Sequence, residues 1–272
     1  MTRKNAGGRA ANGIARFVLL AATGAALLSA ESQADRSWSV LNKGLTDQKV
    51  DRRVKAVRAL GLIVNNQKAR ELAEKALADP KPDVREAAAD SLGQMNAKAS
   101  APKLVEAAKT DKDTGVVFAA ASALYTLGDP RAYDIYFAVL TGERKSGESL
   151  LDSQLQMLKD PKAVAQLGFQ AGLGFVPFGS LGFSVLKAAT KDDTSPVRSA
   201  AAQKLIRDPD PKTAQALMTA AADPKWMVRA AVINAIAQRG DPKLLTAVLP
   251  RLDDENDTVR FTAAGAVLRL TK

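Results

Sequence analysis

Residues 83–92, Asp-Val-Arg-Glu-Ala-Ala-Ala-Asp-Ser-Leu, hold the pattern that decides the fold: an acid, then valine, a basic residue, small apolar residues and leucine. Further good copies begin at Val197-Arg198, Val228-Arg229 and Val259-Arg260, and weaker ones at Val54-Lys55 and Val117-Phe118. Measured from valine to valine, the steps are 30, 33, 80, 31 and 31 residues. A nearly constant period of this length indicates a repeat architecture.

Each period holds two helical patterns separated by turn residues. Gly240-Asp241-Pro242 follows the first helix of one unit, and Asp223-Pro224 separates two helices of another. Glycine suits the left-handed end of a helix, aspartate caps the next helix, and proline fits its first turn. Short amphipathic helices of this kind bury their apolar sides only against neighbouring units. The sequence therefore predicts an all-α fold, an α-solenoid of stacked antiparallel helix pairs.

The unit Asp-x-x-Val-Arg-x-Ala-Ala resembles the HEAT-like repeats, in particular the short form of about thirty residues found in phycobilisome-lyase-type proteins. The resemblance covers residues 45–272, with regular repeats at about 45–140 and 190–272. It implies an extended binding surface or scaffold. The lyase relatives attach or detach bilin chromophores, but no residues here match a chromophore site, so a lyase is the less favoured interpretation.

The N-terminal residues have the pattern of a secretory signal peptide. A basic region without an acid is followed by the apolar run 17–28 and a small, polar stretch that ends at Ala34. The apolar run is shorter than the roughly 20 residues that cross a bilayer. We expect cleavage after Ala34, or else after Ala30, which leaves residues 35–272 as an exported periplasmic or extracellular protein. The alternatives are an uncleaved interfacial anchor or a disordered tail.

The composition excludes whole classes of site, since the chain contains no His and no Cys. This removes zinc sites built on those residues, Ser-His-Asp triads, thiol nucleophiles and disulfides. Chemistry by carboxylate, Lys, Ser or Tyr groups remains open, but the sequence contains no recognisable catalytic constellation of them. We therefore expect no enzyme activity, no metal, no cofactor and no small-molecule substrate. The 39 Lys and Arg residues against 29 Asp and Glu favour attraction to anionic surfaces. Few aromatic residues lie among the basic ones, which argues against nucleic acid.

Residues 142–189 interrupt the regular repeats with a Gly- and Phe-rich segment. Every position from 163 to 186 is uncharged, and this stretch contains Phe169, Phe175, Phe178 and Phe183. One interpretation is a pair of buried helices where the solenoid changes register. A second is a hairpin that exposes these four phenylalanines to a partner protein or to lipid, and a third is a loose segment.

A basic residue recurs just inside a helix N-terminus in each unit: Lys55, Arg85, Arg198, Arg229 and Arg260. A cation is unfavourable there because that end of the helix dipole is positive, so we expect compensating acids. The candidates close in sequence are Asp51, Asp83, Asp193, Asp223 and Asp257. The basic residues form either an internal Asp-Arg ladder between units or an outward stripe for phosphate and carboxylate groups.

The function predicted from these features is that of a non-enzymatic protein-binding or scaffolding module, exported to a bacterial cell envelope, with another protein as partner. The alternative is a binder of anionic surfaces, such as phospholipid, acidic glycan or nucleic acid, through a basic face.

Overall fold

A computed structural model describes residues 32–141 and 193–271. Seven α-helices form the first block: α1 Gln33–Leu45, α2 Val50–Leu60, α3 Gln67–Ala76, α4 Pro82–Gln94, α5 Ala101–Thr110, α6 Thr114–Thr126 and α7 Arg131–Leu140. Five form the second block: α8 Ser195–Lys204, α9 Pro211–Ala220, α10 Trp226–Arg239, α11 Leu245–Val248 and α12 Asp257–Leu270. Short 3-10 turns lie at Lys98–Ser100, Leu205–Arg207, Pro242–Leu244 and Leu249–Asp253.

The Gly-Asp-Pro turns stop one helix and start the next, as their chemistry predicts. Gly240 ends α10 with a left-handed φ of 70°, which glycine adopts without strain. The Asp241 side chain then accepts a hydrogen bond of 3.0 Å from the backbone amide of Lys243. Chain reversals of this kind place consecutive helices antiparallel and side by side.

The even-numbered helices, here called the core helices, form a single row, and the odd-numbered helices flank it. Along the row each core helix packs on the next in the order α8, α10, α12, α2, α4 and α6. This order differs from the chain order, because the second block of the sequence stands before the first. One hydrophobic core of small apolar residues runs through both blocks. The fold is therefore an all-α solenoid.

The two blocks meet at a seam, formed where α12 packs against α1 and α2. Phe261 of α12 is buried and lies against Gly44, which is also close to the Ala56 side chain. One turn further along α12, Gly265 lies against the carbonyl oxygen of Ala59. The small residues let the helices approach closely, so the last helix of the chain continues into its first repeat without a gap.

Polar contacts also cross the seam. Arg52 reaches Asp257 with its Nε atom at 3.0 Å and Asp47 of its own block with its guanidinium at 2.5 Å. An ion pair joins Arg36 of α1 to Asp253. The side chain of Arg269 donates to the carbonyl oxygen of Leu62 at 3.1 Å. These contacts fix the register of α12 on the first block.

The ends of the row, within residues 32–141 and 193–271, are α8 on one side and α6 with α7 on the other. No helix in these ranges is long and apolar enough to cross a membrane. The predicted segment 142–189 lies outside the described residues, as does the predicted signal peptide apart from residues 32–34.

Candidate functional site: the charge ladder and the aromatic end face

Arginines, most of them largely withdrawn from water, connect successive core helices. Arg85 of α4 donates from Nε and from its guanidinium to the two carboxylate oxygens of Asp111 at 2.7 and 2.8 Å. The same side chain donates to the carbonyl oxygen of Asp79 at 3.0 Å. Asp79 precedes α4 in sequence and Asp111 precedes α6. Each such arginine thus joins the turn before its own core helix to the turn before the next one.

Arg229 of α10 makes the same set of contacts. It binds both carboxylate oxygens of Asp254 at 2.8 Å and donates to the carbonyl oxygen of Asp223 at 3.0 Å. The side chains of Arg229 and Asp254 are 8% and 3% exposed, so this pair is withdrawn from water. Arg198 of α8 is paired with Asp223 in turn, although it is 41% exposed. These contacts form a ladder between units.

Lys55 was expected to be the basic residue of the ladder in the first unit, but Arg53 has that role. Arg53 binds Asp79 through Nε and a terminal nitrogen at 2.9 and 3.0 Å and donates to the carbonyl oxygen of Asp47 at 2.9 Å. Lys55 pairs instead with Asp51 of its own helix at 2.7 Å. Arg53 lies 32 residues before Arg85 and matches the repeat, whereas a residue two positions later points to the opposite side of the helix.

Arg260 also differs from the expected pattern between units. It donates to the carbonyl oxygen of Asp254 at 2.6 Å and pairs with Asp257 of its own helix. The acid that follows it in space is Asp47, across the seam, and Arg52 binds that carboxylate. The ladder therefore changes partners where the two blocks meet.

Two of the acids expected to compensate the basic series, Asp83 and Asp193, do not bind a ladder arginine in the contacts described below. Asp83 is exposed on the first turn of α4, and the carboxylate that binds Arg85 is that of Asp111. Asp193 accepts a hydrogen bond of 3.0 Å from the backbone amide of Ser195.

The ladder acids remain charged in spite of their burial. Burial by itself raises the pKa of Asp79, Asp111 and Asp254, but hydrogen bonds from the paired arginines and from backbone amides outweigh it and lower each pKa. The charge of each paired arginine is therefore balanced inside the protein, which favours the ladder over an outward basic stripe. These arginines are Arg53, Arg85 and Arg229.

In the described part of the chain the ladder ends at α6, because a valine stands where the arginine would be. Val117 lies 32 residues after Arg85 and is buried. This corrects the register by one residue, since the valine that matches Val84 is Val116. The whole of Thr114–Thr126 contains no charged side chain. Nothing in α6 can therefore bind an aspartate of a further unit in the way that Arg85 binds Asp111.

The outer side of α6 and α7 instead exposes large apolar side chains, here called the end face. Its members are exposed by 53 to 85% of their surface: Phe118, Tyr125, Tyr133, Phe137 and Leu140. Half-buried Tyr136 packs among them, with its ring centroid 5.6 Å from that of Phe118 and 6.4 Å from that of Tyr125. Its hydroxyl donates to the Ser122 hydroxyl at 3.1 Å. The rings of Phe118, Tyr125, Tyr133 and Tyr136 thus form one contiguous surface, and Phe137 and Leu140 follow one and two helical turns after Tyr133 on α7.

A second feature is a pair of acids on α4. Burial raises the pKa of Glu86, and it raises the pKa of Asp90 to about 6, with Arg58 opposing the shift at both. The two are one helical turn apart, and a β-carbon at position 115 would stand 3.2 Å from a carboxylate oxygen of Glu86. Within the described ranges, no group of His, Cys, Asp and Glu has the arrangement of a metal site.

Comparison with known proteins identifies the repeats. The sequence model of the family described as HEAT repeats matches residues 39–125 and 184–269, which is more than half of the chain. The chain belongs to the HEAT-repeat family. No curated protein matches the sequence of this HEAT-repeat chain significantly.

Several solved structures are similar to this HEAT-repeat chain at low identity. The complex of CpcE and CpcF of phycocyanin lyase from Nostoc is 18% identical over 78% of this chain and 80% of that chain, with a TM-score of 0.35. Human deoxyhypusine hydroxylase is 17% identical over 88% and 97%, with a TM-score of 0.34. A designed armadillo repeat protein is 14% identical over 88% and 100%, with a TM-score of 0.25.

The end face of this HEAT-repeat chain was not among the sites predicted from its sequence. The phenylalanines predicted to bind a partner, Phe169, Phe175, Phe178 and Phe183, lie outside the described residues. The sequence signal for it was the weak repeat copy at Val117-Phe118, which is apolar where the other units have a basic residue. The unit that contains α6 lacks the ladder arginine, and its outer side is the end face.

Proposed function

We propose that this HEAT-repeat chain is a non-enzymatic scaffold that binds another protein through the end face. The observation that carries the proposal is the contiguous set of exposed rings on α6 and α7. Contiguous apolar surface on a folded domain marks an interaction site, because water-exposed apolar area is unfavourable and is covered in the functional state. Aromatic residues are also the side chains most enriched at protein interfaces.

The test is a crosslinking pull-down from the native cell envelope. Wild type is compared with the double variant Tyr133→Ser/Phe137→Ser, whose side chains are 63% and 62% exposed and contribute little to folding. Val197→Ser, at the opposite end of the row, is the matched control. We expect the double variant to lose the captured partner and the control to keep it. An identical set of partners from all three proteins would contradict the proposal.

Export to the cell envelope is part of the proposal, and the capping of α1 supports a revised cleavage site. The Ser32 hydroxyl accepts a hydrogen bond of 3.0 Å from the backbone amide of Asp35. Such N-caps stabilise helices by about 1 kcal/mol. Cleavage after Ala30 keeps Ser32, whereas cleavage after Ala34 removes it. N-terminal sequencing of the processed protein should therefore begin at Glu31, and an unprocessed chain would contradict export.

A second candidate function, binding to anionic surfaces, is favoured by lysines on the flanking helices. They are exposed and belong to α1, α3 and α5: Lys43, Lys68, Lys75, Lys103 and Lys109. Binding through them would weaken steeply with salt and with Lys→Gln substitution. Sedimentation with anionic and neutral vesicles at low and high salt measures this. Equal binding to both kinds of vesicle would exclude it.

A further inference from the structure

The end face is not shaped to receive another unit of the same ladder. Away from the seam, an arginine of one core helix binds the aspartate that precedes the next one, as Arg85 binds Asp111. At α6 the arginine is replaced by buried Val117. A further ladder unit would therefore receive no cation from α6 for its buried aspartate, which costs several kcal/mol unless that unit supplies its own arginine, as Arg52 does for Asp47 at the seam. The occupant that fits is an apolar surface without a buried acid.

The charges at the border of the end face are largely neutralised. Arg131, the first residue of α7, binds the carboxylate of Asp129 at 2.8 and 2.5 Å. Asp134 is the remaining charged residue of α7 and is exposed. A surface that meets its own copy across a twofold axis must avoid like charges opposite each other. α6 is uncharged and Arg131 is neutralised by Asp129, so a twofold arrangement meets this condition when the two copies of Asp134 lie apart.

The exposed area is close to what a dimer needs. Aromatic side chains offer about 200 Å² each, so four of them exposed by slightly more than half, with Leu140, present roughly 600 Å². Two such surfaces bury about 1,200 Å², the lower end of specific protein interfaces. An association of this size is expected to be reversible and to depend on concentration.

We propose that the occupant of the end face is a second copy of this chain, with α6 and α7 of one copy packed against α6 and α7 of the other about a twofold axis. This inference rests on the proposed function, in which the end face binds a protein, and it specifies that this protein is a second copy of the chain. Phe118, Phe137 and Leu140 lose water contact in the dimer, while the exposed hydroxyls of Tyr125 and Tyr133 remain at its edge or bind across it.

The test is analytical ultracentrifugation of the full processed chain across the micromolar range. We expect a monomer that becomes a dimer as concentration rises, with the dimer lost in Tyr133→Ser/Phe137→Ser and kept in Val197→Ser. Leu140→Glu, at a position that is 85% exposed, is a second disrupting variant should the first fail to fold. Circular dichroism establishes folding for each variant.

The outcomes separate this inference from the proposed function. A wild type that stays monomeric throughout, or a dimer unaffected by both disrupting variants, overturns the inference. If that monomer still captures an envelope protein in a manner that depends on Tyr133 and Phe137, the proposed function stands and the partner is a different protein. A dimer that both variants dissociate supports the inference even where the pull-down recovers no other protein.

Discussion

Gly265 of the last helix lies directly against the main chain of Ala59 in the first repeat: a β-carbon at position 265 would stand 2.5 Å from the Ala59 carbonyl oxygen. The two residues are far apart in sequence and belong to different blocks. Their contact shows that α12 and α2 are neighbours in the row of core helices. The solenoid is continuous in space although its units are not in chain order.

Gly265→Ala should therefore destabilise the protein. In an unobstructed helix this change stabilises by about 0.5–1 kcal/mol, because glycine is a poor helix former. At the seam the added carbon forces the helices apart, which costs about 1–3 kcal/mol. We expect a net loss in the free energy of unfolding, measured by urea denaturation. Ala201→Val, on the exposed side of α8, is the control; a Gly265→Ala variant as stable as wild type would contradict the close approach.

The two kinds of ladder arginine should differ in their contribution to stability. Arg229→Met leaves the carboxylate of Asp254, 3% exposed, without its partner and should cost about 3–5 kcal/mol. Arg198→Met removes a guanidinium that is 41% exposed and should cost about 1 kcal/mol or less. Thermal or chemical denaturation measures both losses. Equal losses would show that burial does not determine the strength of the ladder.

Asp90→Asn should stabilise the protein at neutral pH. Burial raises the pKa of Asp90 from an ordinary value of 3.8 to about 6, so the folded state favours the protonated carboxyl. That preference is fully present in acid and is lost as pH rises through about 6, because ionisation of the half-buried group then opposes folding. The variant should thus match wild type near pH 4 and exceed it by roughly 1–3 kcal/mol near pH 7.

The comparison is the free energy of unfolding of both proteins at a series of pH values. Asp83→Asn, on the exposed side of the same helix, is the matched control and should show no comparable rise. A pH-independent difference between Asp90→Asn and wild type would contradict the burial of that carboxyl.

If the chain is cleaved between the two blocks, the fragments should stay associated through the seam. If a protease site is inserted after Lys145, cleavage separates the two blocks covalently while the seam still holds Phe261 against Gly44. We expect both fragments to elute together in size-exclusion chromatography. Phe261→Ala, which removes a fully buried ring from the seam, should weaken the association by about 3–5 kcal/mol. Separation of the wild-type fragments would mean that the seam is too weak to hold them.

The sequence predicts the helices and their stacking well, because the relevant signals are local. The Asp-Pro and Gly-Asp-Pro turns determine where α10 and its neighbours end, and the period shows which segments are equivalent. A period does not show which units are neighbours, since every unit has a similar apolar surface. The order of the row depends on long-range fits such as Gly265 on Ala59, which single-sequence patterns do not contain.

The sequence predicts that Asp-Arg pairs connect the units, but it does not predict which aspartate binds which arginine. Acids close in sequence were expected to compensate the arginines, yet Arg85 and Arg229 bind carboxylates 26 and 25 residues further on. Those acids precede the next core helix, so the pairing follows the stacking and not the local sequence. The sequence pattern indicates Lys55 because it follows Val54, whereas Arg53 follows another arginine, and only the side-chain contacts show that Arg53 holds the ladder position.

The central claim, that the last helix of the chain packs beside its first repeat, is tested most directly by a crosslink across the seam. The natural chain has no Cys, so Arg36→Cys/Asp253→Cys contains two thiols only, at positions whose native side chains form an ion pair. A short bis-maleimide should join them within one chain in high yield. The control pair Arg36→Cys/Lys109→Cys, with Lys109 on the distant α5, should not react in this way. Failure of the first pair, or equal yields from both, would contradict the proposed order of the solenoid.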